Sequence, residues 1–320
     1  MTDADQRHDF RCRLCHGTAG ECRLRAAANP DWDILRCRAC HFLSLRKPPP
    51  PETLATFYQE SYYREADGSR FTWPFEAVAR AFRRQRARKL RRWLPTPPAS
   101  VLDVGCGRAV FLAALKERGY KVHGTQLSAT AAAYARRTFG IDVFVGELAQ
   151  APYGEAAFDL VTLWHVLEHL PDPRACLERV HALLKPGGAL LVEVPNAASW
   201  TACWGGRRWL HWDLPRHLGH FTPETLGPLL DSSGFEVVSR SFFSLEYGPF
   251  GVVQTILNFL PGQPNLFFER LKGRGPRWRG AAFFLHAAVA AILAVPALAY
   301  SALAAACGRG DILTLRCRKR

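Results

Sequence analysis

The stretch VLDVGCGRAVF, residues 101–111, decides the fold of this chain. Residues 101–104 form a short apolar run that suits a buried parallel strand. Gly105 and Gly107 then break the run, and an apolar helical pattern follows from Val110. Strand, glycine turn and helix together bring a nucleotide-like ligand against bare backbone and a helix N-terminus. The spacing matches neither the dinucleotide motif GxGxxG nor the phosphate-binding motif GxxxxGK[ST].

The composition is that of a basic, globular chain. Its 320 residues suffice for one large or two small domains, and 48% hydrophobic with 22% charged residues excludes an intrinsically disordered chain. The formal net charge of +14 suits an acidic partner: nucleic acid, an anionic membrane surface or a phosphorylated substrate. Residues 1–9 are polar and no apolar run follows them, so we expect no signal peptide. Ten cysteines without an export signal predict the reducing cytoplasm.

Four cysteines in the N-terminal segment, residues 1–47, have the spacing of metal ligands. They are Cys12, Cys15, Cys37 and Cys40, which form two CxxC pairs separated by 21 residues. Each pair can place two thiolates on one tetrahedral ion, and few apolar residues lie between the pairs to form a core. We therefore predict a structural zinc ribbon with no open position for catalysis at the metal. Free or redox-active thiols are the alternative.

A proline-rich linker and a basic helix follow over residues 48–99. Four prolines at 48–51 predict a stiff, extended spacer. Residues 75–94 are predicted to be helical and carry seven Arg and one Lys between positions 80 and 92. These cations form either a solvated basic face or a surface that binds acidic lipid or nucleic acid.

Strand and helix patterns alternate through residues 100–246. Short apolar runs at 121–124, 143–145, 158–163 and 183–192 predict strands after the first, and residues 235–239 predict a sixth. Helical patterns separate most of these runs. The alternation predicts an α/β domain in which a parallel sheet has helices on both faces.

Three motifs in this domain resemble a known family. DVGCG at 103–107, FD at 158–159 and LKPGG at 184–188 agree in order and spacing with class I S-adenosylmethionine (SAM) methyltransferases. The resemblance implies a Rossmann-like sheet of seven strands, SAM as the cofactor and methyl transfer as the activity. It also implies the cofactor-binding residues, which are Asp103, Gly105, Gly107, Gln126, Leu127, Glu147 and Leu148.

The resemblance assigns parts of the cofactor to these residues. Asp103 and the two glycines would hold the methionine end and the ribose, Gln126 the edge of the ribose, and Glu147 the adenine. The family usually has Asp or Glu where Gln126 stands, and an amide offers one acceptor oxygen and no charge. Tyr62 or Tyr63 either covers the cofactor pocket, as such tyrosines do in similar methyltransferases, or packs in an aromatic face on the next domain.

A charged and imidazole-bearing segment, WHVLEHL, follows the fourth predicted strand. On a helical turn His165, Glu168 and His169 share one face, where they could bind a divalent metal or act as a general base. The segment resembles the ExxEH segment of ubiquinone-biosynthesis O-methyltransferases and of small-RNA 2′-O-methyltransferases, where it serves a metal. His165 replaces the first Glu. Helix capping and packing is the alternative role.

Two more histidines lie in PRHLGHFTPETL, residues 215–226. This polar and aromatic run resembles a segment of the same methyltransferase branch, which implies that it faces the pocket. His217 or His220 could then be the base for the acceptor or complete a metal site. The alternative for each is a histidine hydrogen-bonded to loop backbone.

The C-terminal part combines an apolar insertion, residues 247–310, with a last strand and basic tail, residues 311–320. Residues 281–307 are almost wholly apolar and long enough to cross a bilayer. Both ends must return to one sheet and both flanks are basic, which favours both ends on the cytoplasmic side. With Pro296 near the middle, we predict a re-entrant or interfacial helical hairpin. A buried helix or a dimer interface is the alternative.

These observations predict methyl transfer from SAM to a hydroxyl on a membrane-proximal small molecule, lipid or glycan. The protein would lie in the cytoplasm, peripheral or monotopic on the inner face of the membrane. An RNA methyltransferase is an alternative suggested by the charge and the ribbon, although no RRM, KH or dsRBD pattern supports it. A non-catalytic SAM-fold subunit of a membrane biosynthetic complex is another, suggested by Gln126. The oligomeric state is left open.

Overall fold

The computed structural model describes residues 10–26, 29–50, 52–54, 75–90, 94, 96–260, 264–272 and 281–320. The predicted aromatic lid, Tyr62 or Tyr63, lies outside the described residues. So do the basic residues at 91, 92, 274, 277 and 279 and the N-terminal residues 1–9.

The N-terminal segment forms three short antiparallel strands, β1 (Gly20–Leu24), β2 (Ile34–Cys37) and β3 (Leu43–Leu45). Helix α1 (Phe75–Lys89) precedes the main part of the chain. The elements of the main part follow in this order: β4 (Ser100–Val104), α2 (Val110–Lys116), β5 (Lys121–Gln126), α3 (Ala129–Phe139), β6 (Phe144–Val145), β7 (Phe158–Trp164), α4 (Pro173–Leu183), β8 (Leu184–Pro195), α5 (Trp200–Gly205), β9 (Gly219–His220), α6 (Pro223–Ser232), β10 (Phe235–Ser241), α7 (Gly248–Leu257), α8 (Leu266–Leu271), α9 (Ala281–Ala306) and β11 (Ile312–Lys319).

The main sheet confirms the predicted Rossmann-like architecture. Among the described residues it has seven strands in the order β10-β11-β8-β7-β4-β5-β6. Strands β4 to β8 pair in parallel, whereas β11 pairs antiparallel with both β10 and β8. The last strand therefore inserts beside the sixth, as the alternating sequence after Asp311 predicted.

Side-chain periodicity places a hydrophobic core on each face of this sheet. Leu102 and Leu163 are fully buried on one face, against α4 and α6. Val101 and Leu160 point to the other face, where they pack with Phe111 of α2. Because both faces are covered, the strands are near-continuous apolar runs rather than alternating ones.

Local signals start the helices where the sequence indicates. Ser128 and Asp172 accept hydrogen bonds from the backbone of α3 and α4, which caps their first turns. Thr222 and Thr225 form a reciprocal capping box at the start of α6. These caps fix where each helix leaves the edge of the sheet.

The apolar insertion differs from the prediction. Residues 281–306 form one continuous helix, so the predicted hairpin about Pro296 is wrong. The fixed φ of proline is compatible with a helix, and no turn-forming residues surround it to reverse the chain. Helix α9 packs on α7 along a narrow stripe that includes Ala297 and Ser301. Only 11% of its most apolar window is buried, so among the described residues it is not a core helix.

Candidate active site

The predicted cofactor residues meet at the carboxyl edge of β4, β5 and β6. Asp103 lies in β4, is 3% exposed, and accepts a hydrogen bond of 2.6 Å from Thr162 Oγ1. Gly105 and Gly107 both have positive φ, +68° and +57°. At Gly105 a Cβ would also lie 3.0 Å from a methyl of Val166, so this turn favours glycine for both dihedral and space.

Burial makes the carboxyl of Asp103 a weaker acid than usual. The loss of solvation raises the pKa of its carboxyl to about 7, and the Thr162 hydrogen bond and the more distant Arg86 offset only part of this. The carboxyl is therefore about half ionised at neutral pH. A bound cationic group would favour the ionised form.

Gln126, at the end of β5, uses its amide oxygen locally. The Oε1 atom accepts hydrogen bonds from the backbone N–H groups of Leu127, at 2.7 Å, and Ser128, at 3.3 Å. Gln126 therefore fixes the turn after β5, and a ribose hydroxyl would share an oxygen that is already in use. Leu127 is 48% exposed, Glu147 is exposed and Leu148 is buried, all at the same edge.

His165 lies between two buried carboxylates. Its Nδ1 is 3.1 Å from Glu168 Oε1, and its Nε2 is 3.2 Å from Glu193 Oε1. Burial disfavours the imidazolium, but the two carboxylates outweigh this effect and raise the pKa of His165 to about 9. The ring is thus a cation at neutral pH, which makes it a poor general base. His165 has a left-handed backbone conformation, φ +54°, and lies two residues before a short 3-10 helix, Leu167–His169. Contrary to the prediction from the sequence, His165, Glu168 and His169 therefore do not share one face of a helical turn.

A second cluster joins Glu168, His169 and His217. One ligand atom from each lies within 4.8 Å of the others, and the two imidazole rings are 4.6 Å apart. Burial lowers the pKa of both histidines to about 4, so both rings are neutral at pH 7. Neutral imidazoles and a carboxylate are ligands that fit a divalent metal, and without a metal either ring can accept a proton.

Backbone contacts set the orientation of both rings. His169 Nδ1 lies 3.1 Å from the carbonyl of Arg216, and His217 Nδ1 lies 2.8 Å from the carbonyl of His211. Since a carbonyl only accepts, each Nδ1 carries the proton and each Nε2 is the basic nitrogen of its neutral ring. Asp213 pairs with Arg216 and lies 3.7 Å from His217 Nε2.

The last predicted catalytic residue, His220, lies behind His217, with ring centroids 6.1 Å apart, and does not line the cavity described below. It forms β9 with Gly219, is 2% exposed, and packs its ring 4.8 Å from that of Trp212. Burial holds its pKa well below the usual value for histidine. The structure therefore gives His220 the position of a core histidine and brings His169 and His217 together instead.

An arginine of the predicted basic helix, Arg86, lies largely buried beside Glu193, with its side chain 15% exposed. Arg86 of α1 pairs with Glu246, at 2.6 Å, and approaches Glu193, at 3.6 Å. Its guanidinium also lies 4.6 Å from the centre of the Trp164 ring. Burial disfavours the cation, but these carboxylates hold its pKa above the usual value. Nothing in the Arg-rich sequence distinguishes Arg86 from its neighbours, and its spacing from Glu246 is 160 residues.

A cavity of about 390 Å³ opens beside the histidines. Its polar lining residues include His165, His169, His211, Asp213, His217 and Glu246. Its other walls are mostly apolar and come from α1, α7, α8 and α9, with Val78, Phe82, Phe250, Val253, Phe267, Phe268, Ala290 and Ala294 among the lining residues. Sequence reasoning missed His211 and Asp213, although both stand in the HWDLPRH run before His217.

The four predicted zinc ligands also come together. The Sγ atoms of Cys12, Cys15, Cys37 and Cys40 lie within 4.8 Å of one another, and none of these cysteines forms a disulfide. The nearest pairs are 3.4 Å and 3.5 Å apart. Zn–S bonds of about 2.3 Å in a tetrahedron require sulfur separations of about 3.8 Å, so a small expansion of the cluster fits the ion. The cluster is consistent with a zinc ribbon.

The chain is similar to known methyltransferases. Residues 76–240 match a family described as "Methyltransferase domain". The ubiquinone biosynthesis O-methyltransferase of Pseudomonas paraeruginosa is 30% identical over 162 residues, which cover 47% of this chain and 69% of that protein. A probable S-adenosylmethionine-dependent methyltransferase of Mycolicibacterium smegmatis is 30% identical over 141 residues, covering 43% and 52%.

Among solved structures, a SAM-dependent methyltransferase from Archaeoglobus fulgidus superposes with a TM-score of 0.47 and 19% identity, covering 77% of this chain and all of that one. The family match spans half of the chain and includes the DVGCG turn, the strand with its FD start and the LKPGG segment. The chain belongs to the methyltransferase domain family and is a SAM-dependent methyltransferase.

Proposed function

We propose that this enzyme transfers the methyl group of SAM to a hydroxyl of an apolar acceptor that resides in or on a membrane. The observation that carries the proposal is the cavity, because it joins two neutral histidines to apolar walls built partly from α9. The same helix exposes Ile292 and Val295, 74% and 76% exposed, on its outside. An acceptor that is largely hydrophobic and carries one reactive hydroxyl matches such a site.

Inline transfer from the sulfonium of SAM requires the acceptor oxygen to be positioned and to lose its proton. His169 and His217 are suited to take this proton, since each has a lone pair on Nε2 at neutral pH. A divalent cation held by Glu168, His169 and His217 would instead lower the pKa of a bound hydroxyl. His165, as a cation paired with Glu168 and Glu193, would orient Glu168 for either role.

Recognition of SAM follows the assignment made from the sequence. Asp103 would receive the ammonium of the methionine end, and the Gly105 and Gly107 turn would admit the ribose and methionine backbone. Leu127, exposed at the end of β5, would pack against the adenine, whose amino group Glu147 would meet. Gln126 would contribute to the ribose edge while it holds the turn.

Membrane association rests on helix α9. Its 26 residues span about 39 Å, which exceeds the hydrocarbon thickness of a bilayer of about 30 Å. The exposed side chains on it are apolar: Phe284, Leu285, Ile292, Val295, Leu298 and Leu303. Near its C-terminal half, Tyr300 accepts a hydrogen bond of 2.8 Å from the indole of Trp204, a pairing typical of a membrane–water interface. Since both ends of the insertion return to one sheet, α9 would lie in the cytoplasmic leaflet rather than cross it.

The ribbon cysteines would hold one structural Zn²⁺. Their four thiolates complete a tetrahedron, so the ion would have no open position for substrate. This ion and SAM are then the resident groups of the enzyme, in addition to the divalent cation proposed at Glu168, His169 and His217.

The acceptor can be identified directly. The purified protein is incubated with radiolabelled SAM and either a membrane lipid extract, a soluble metabolite extract or total RNA of the host. We expect label in the lipid extract, in a product with a base-stable ether, and none when His169→Ala replaces the wild type. Label confined to RNA or to soluble metabolites overturns the proposed acceptor class.

Membrane docking has its own test. The variant Ile292→Glu/Val295→Glu places two carboxylates on the exposed face of α9 and leaves the buried stripe intact. We expect it to lose binding to liposomes that contain anionic lipid, by about tenfold or more. Val238→Glu, at an exposed valine of β10, is the matched control and should bind like the wild type. Equal binding of all three proteins overturns the assignment of α9.

A further inference from the structure

The ribbon shares a sheet with the loop that carries His211, His217 and His220. We call residues 210–221 the acceptor loop, because His211, Asp213 and His217 line the cavity. Ribbon strand β3 pairs antiparallel with β9, with Leu43 opposite His220 and Ser44 opposite Gly219. The order of this second sheet is β1-β2-β3-β9, so its fourth strand comes from the acceptor loop.

Leu218 links the ribbon to the helical turn of the active site. Its carbonyl accepts a hydrogen bond of 3.2 Å from the backbone N–H of Leu45 in the ribbon. Its own N–H donates a hydrogen bond of 2.7 Å to the carbonyl of Glu168. One residue next to His217 is therefore held between β3 and the segment that carries Glu168 and His169.

Side chains reinforce this backbone connection. Phe42 of the ribbon packs against Phe221, with ring centroids 5.0 Å apart. A Cβ at Gly219 would lie 2.5 Å from the same Phe42 ring, so the ribbon touches the bare backbone of the loop. A joint core also forms from Ile34, Leu43 and Leu45 of the ribbon with Trp209, Trp212 and Leu218 of the loop region. The ribbon has few apolar residues of its own, and the acceptor loop supplies the apolar side chains that complete its core.

We infer that the zinc ribbon is the positioning element of the acceptor loop, and that metal in the ribbon sets the placement of His217 beside His169. Closure of the cysteine cluster fixes the turn of the β2–β3 hairpin, since Cys37 ends β2 and Cys40 lies three residues before β3. Without the ion, β3 loses its anchor and the loop loses its neighbouring strand. The cofactor edge lies at β4 to β6 and makes none of these contacts. The name acceptor loop rests on the proposed function, whereas the inference itself concerns the position of the loop.

Trypsin reports the position of the loop without any acceptor. Arg216 is 8% exposed and paired with Asp213, so the bond between Arg216 and His217 should resist cleavage in the wild type. In Cys37→Ser/Cys40→Ser we expect zinc content to fall below one ion per chain and cleavage at this bond to rise at least tenfold. The affinity for S-adenosylhomocysteine should stay unchanged. Cys22→Ser, at an exposed ribbon cysteine outside the cluster, is the matched control and should change neither.

A second pair of variants tests the contact with the metal in place. Gly219→Ala forces its new methyl against the Phe42 ring, so we expect faster cleavage after Arg216 while the zinc remains bound. In a Phe42→Ala background the same Gly219→Ala change should add little, because the ring it would strike is absent. If loss of the cysteines unfolds the whole chain, this pair of variants still tests whether the ribbon positions the acceptor loop.

Two results overturn the inference. One is full protection of Arg216 in a zinc-free ribbon variant that still binds S-adenosylhomocysteine. The other is an equal effect of Gly219→Ala with and without Phe42. Neither result bears on the acceptor class, since the labelling of lipid tests that separately.

Discussion

The cofactor half and the acceptor half of the molecule are assembled differently. The proposed cofactor half, at the ends of β4, β5 and β6, draws its groups from residues 103–148, where each lies at the end of a strand or shortly after it. The acceptor half collects groups from α1, β8, the acceptor loop and the insertion. Arg86 and Glu246, which pair there, are 160 residues apart.

The difference lies in what holds the groups in place. Glycine dihedrals and parallel pairing build the cofactor half, and both are local features of the strand–turn–helix unit. Buried charge pairs and a shared core build the acceptor half. Because buried ions lose their solvation, each carboxylate there depends on its partner, and a single substitution should affect several groups at once.

The largest expected effect is therefore in the acceptor half. Arg86→Met removes the cation that pairs with Glu246 and leaves Glu193 with His165 alone, which should lower the free energy of unfolding by about 3 kcal/mol. Arg84→Met, at an exposed arginine of the same helix, should change it by less than about 0.5 kcal/mol. Chemical denaturation measures both. A loss below about 1 kcal/mol for Arg86→Met would mean that the charge network does not hold the acceptor half together.

Asp103→Ala tests whether the two halves work independently. Loss of a charged hydrogen-bond partner should weaken SAM binding by roughly a hundredfold, or about 2–3 kcal/mol. His169→Ala should leave SAM binding within about twofold of the wild type and still abolish most methyl transfer. Calorimetry and the labelling assay separate the two effects. If His169→Ala weakens SAM binding as strongly as Asp103→Ala does, the division into two halves fails.

The pH dependence of SAM binding sharpens the description of the cofactor half. With the pKa of Asp103 near 7, its ionised fraction falls about tenfold between pH 8 and pH 6. SAM affinity should fall in parallel, because only the carboxylate attracts the ammonium. In Asp103→Asn the affinity should be low and nearly constant over this range. A wild-type affinity that is constant from pH 8 to pH 6 contradicts the role of Asp103.

The smallest expected effect concerns His165. Its pKa is raised from 6.5 to about 9, so folding favours the protonated ring. The stabilisation is fully present below pH 6.5 and disappears as the pH rises through 9. His165→Gln should thus cost about 1–2 kcal/mol of unfolding free energy at pH 6 and almost none above pH 9.5. A cost that grows with pH would mean that His165 is neutral in the folded protein.

Much of the fold could be predicted because its signals are short. The apolar run before Gly105, the LKPGG segment and the alternating last strand each specify one element and its neighbours. The CxxC spacing that includes Cys37 and Cys40 likewise predicted a cluster, and the four cysteine sulfurs lie together in the structure. The hairpin at Pro296 failed because composition gives the length of an apolar segment but not its direction.

The candidate site could be predicted only in part. The WHVLEHL segment named His165 and His169, but periodicity could not separate the paired cation from the neutral ring. That distinction depends on Glu193, a β8 residue which sequence reasoning had no cause to connect with His165. Arg86 could not be told from a surface arginine for the same reason.

By itself the sequence determined the SAM-binding architecture and the four-cysteine cluster, because strand alternation, glycine turns and CxxC spacing act over a few residues. The tertiary structure alone decided which histidines meet, which arginine is buried and where the ribbon docks. Ionisation in a buried site depends on partners brought together from distant positions. Those partners leave no periodic pattern along the chain, so only the folded protein defines the acceptor half.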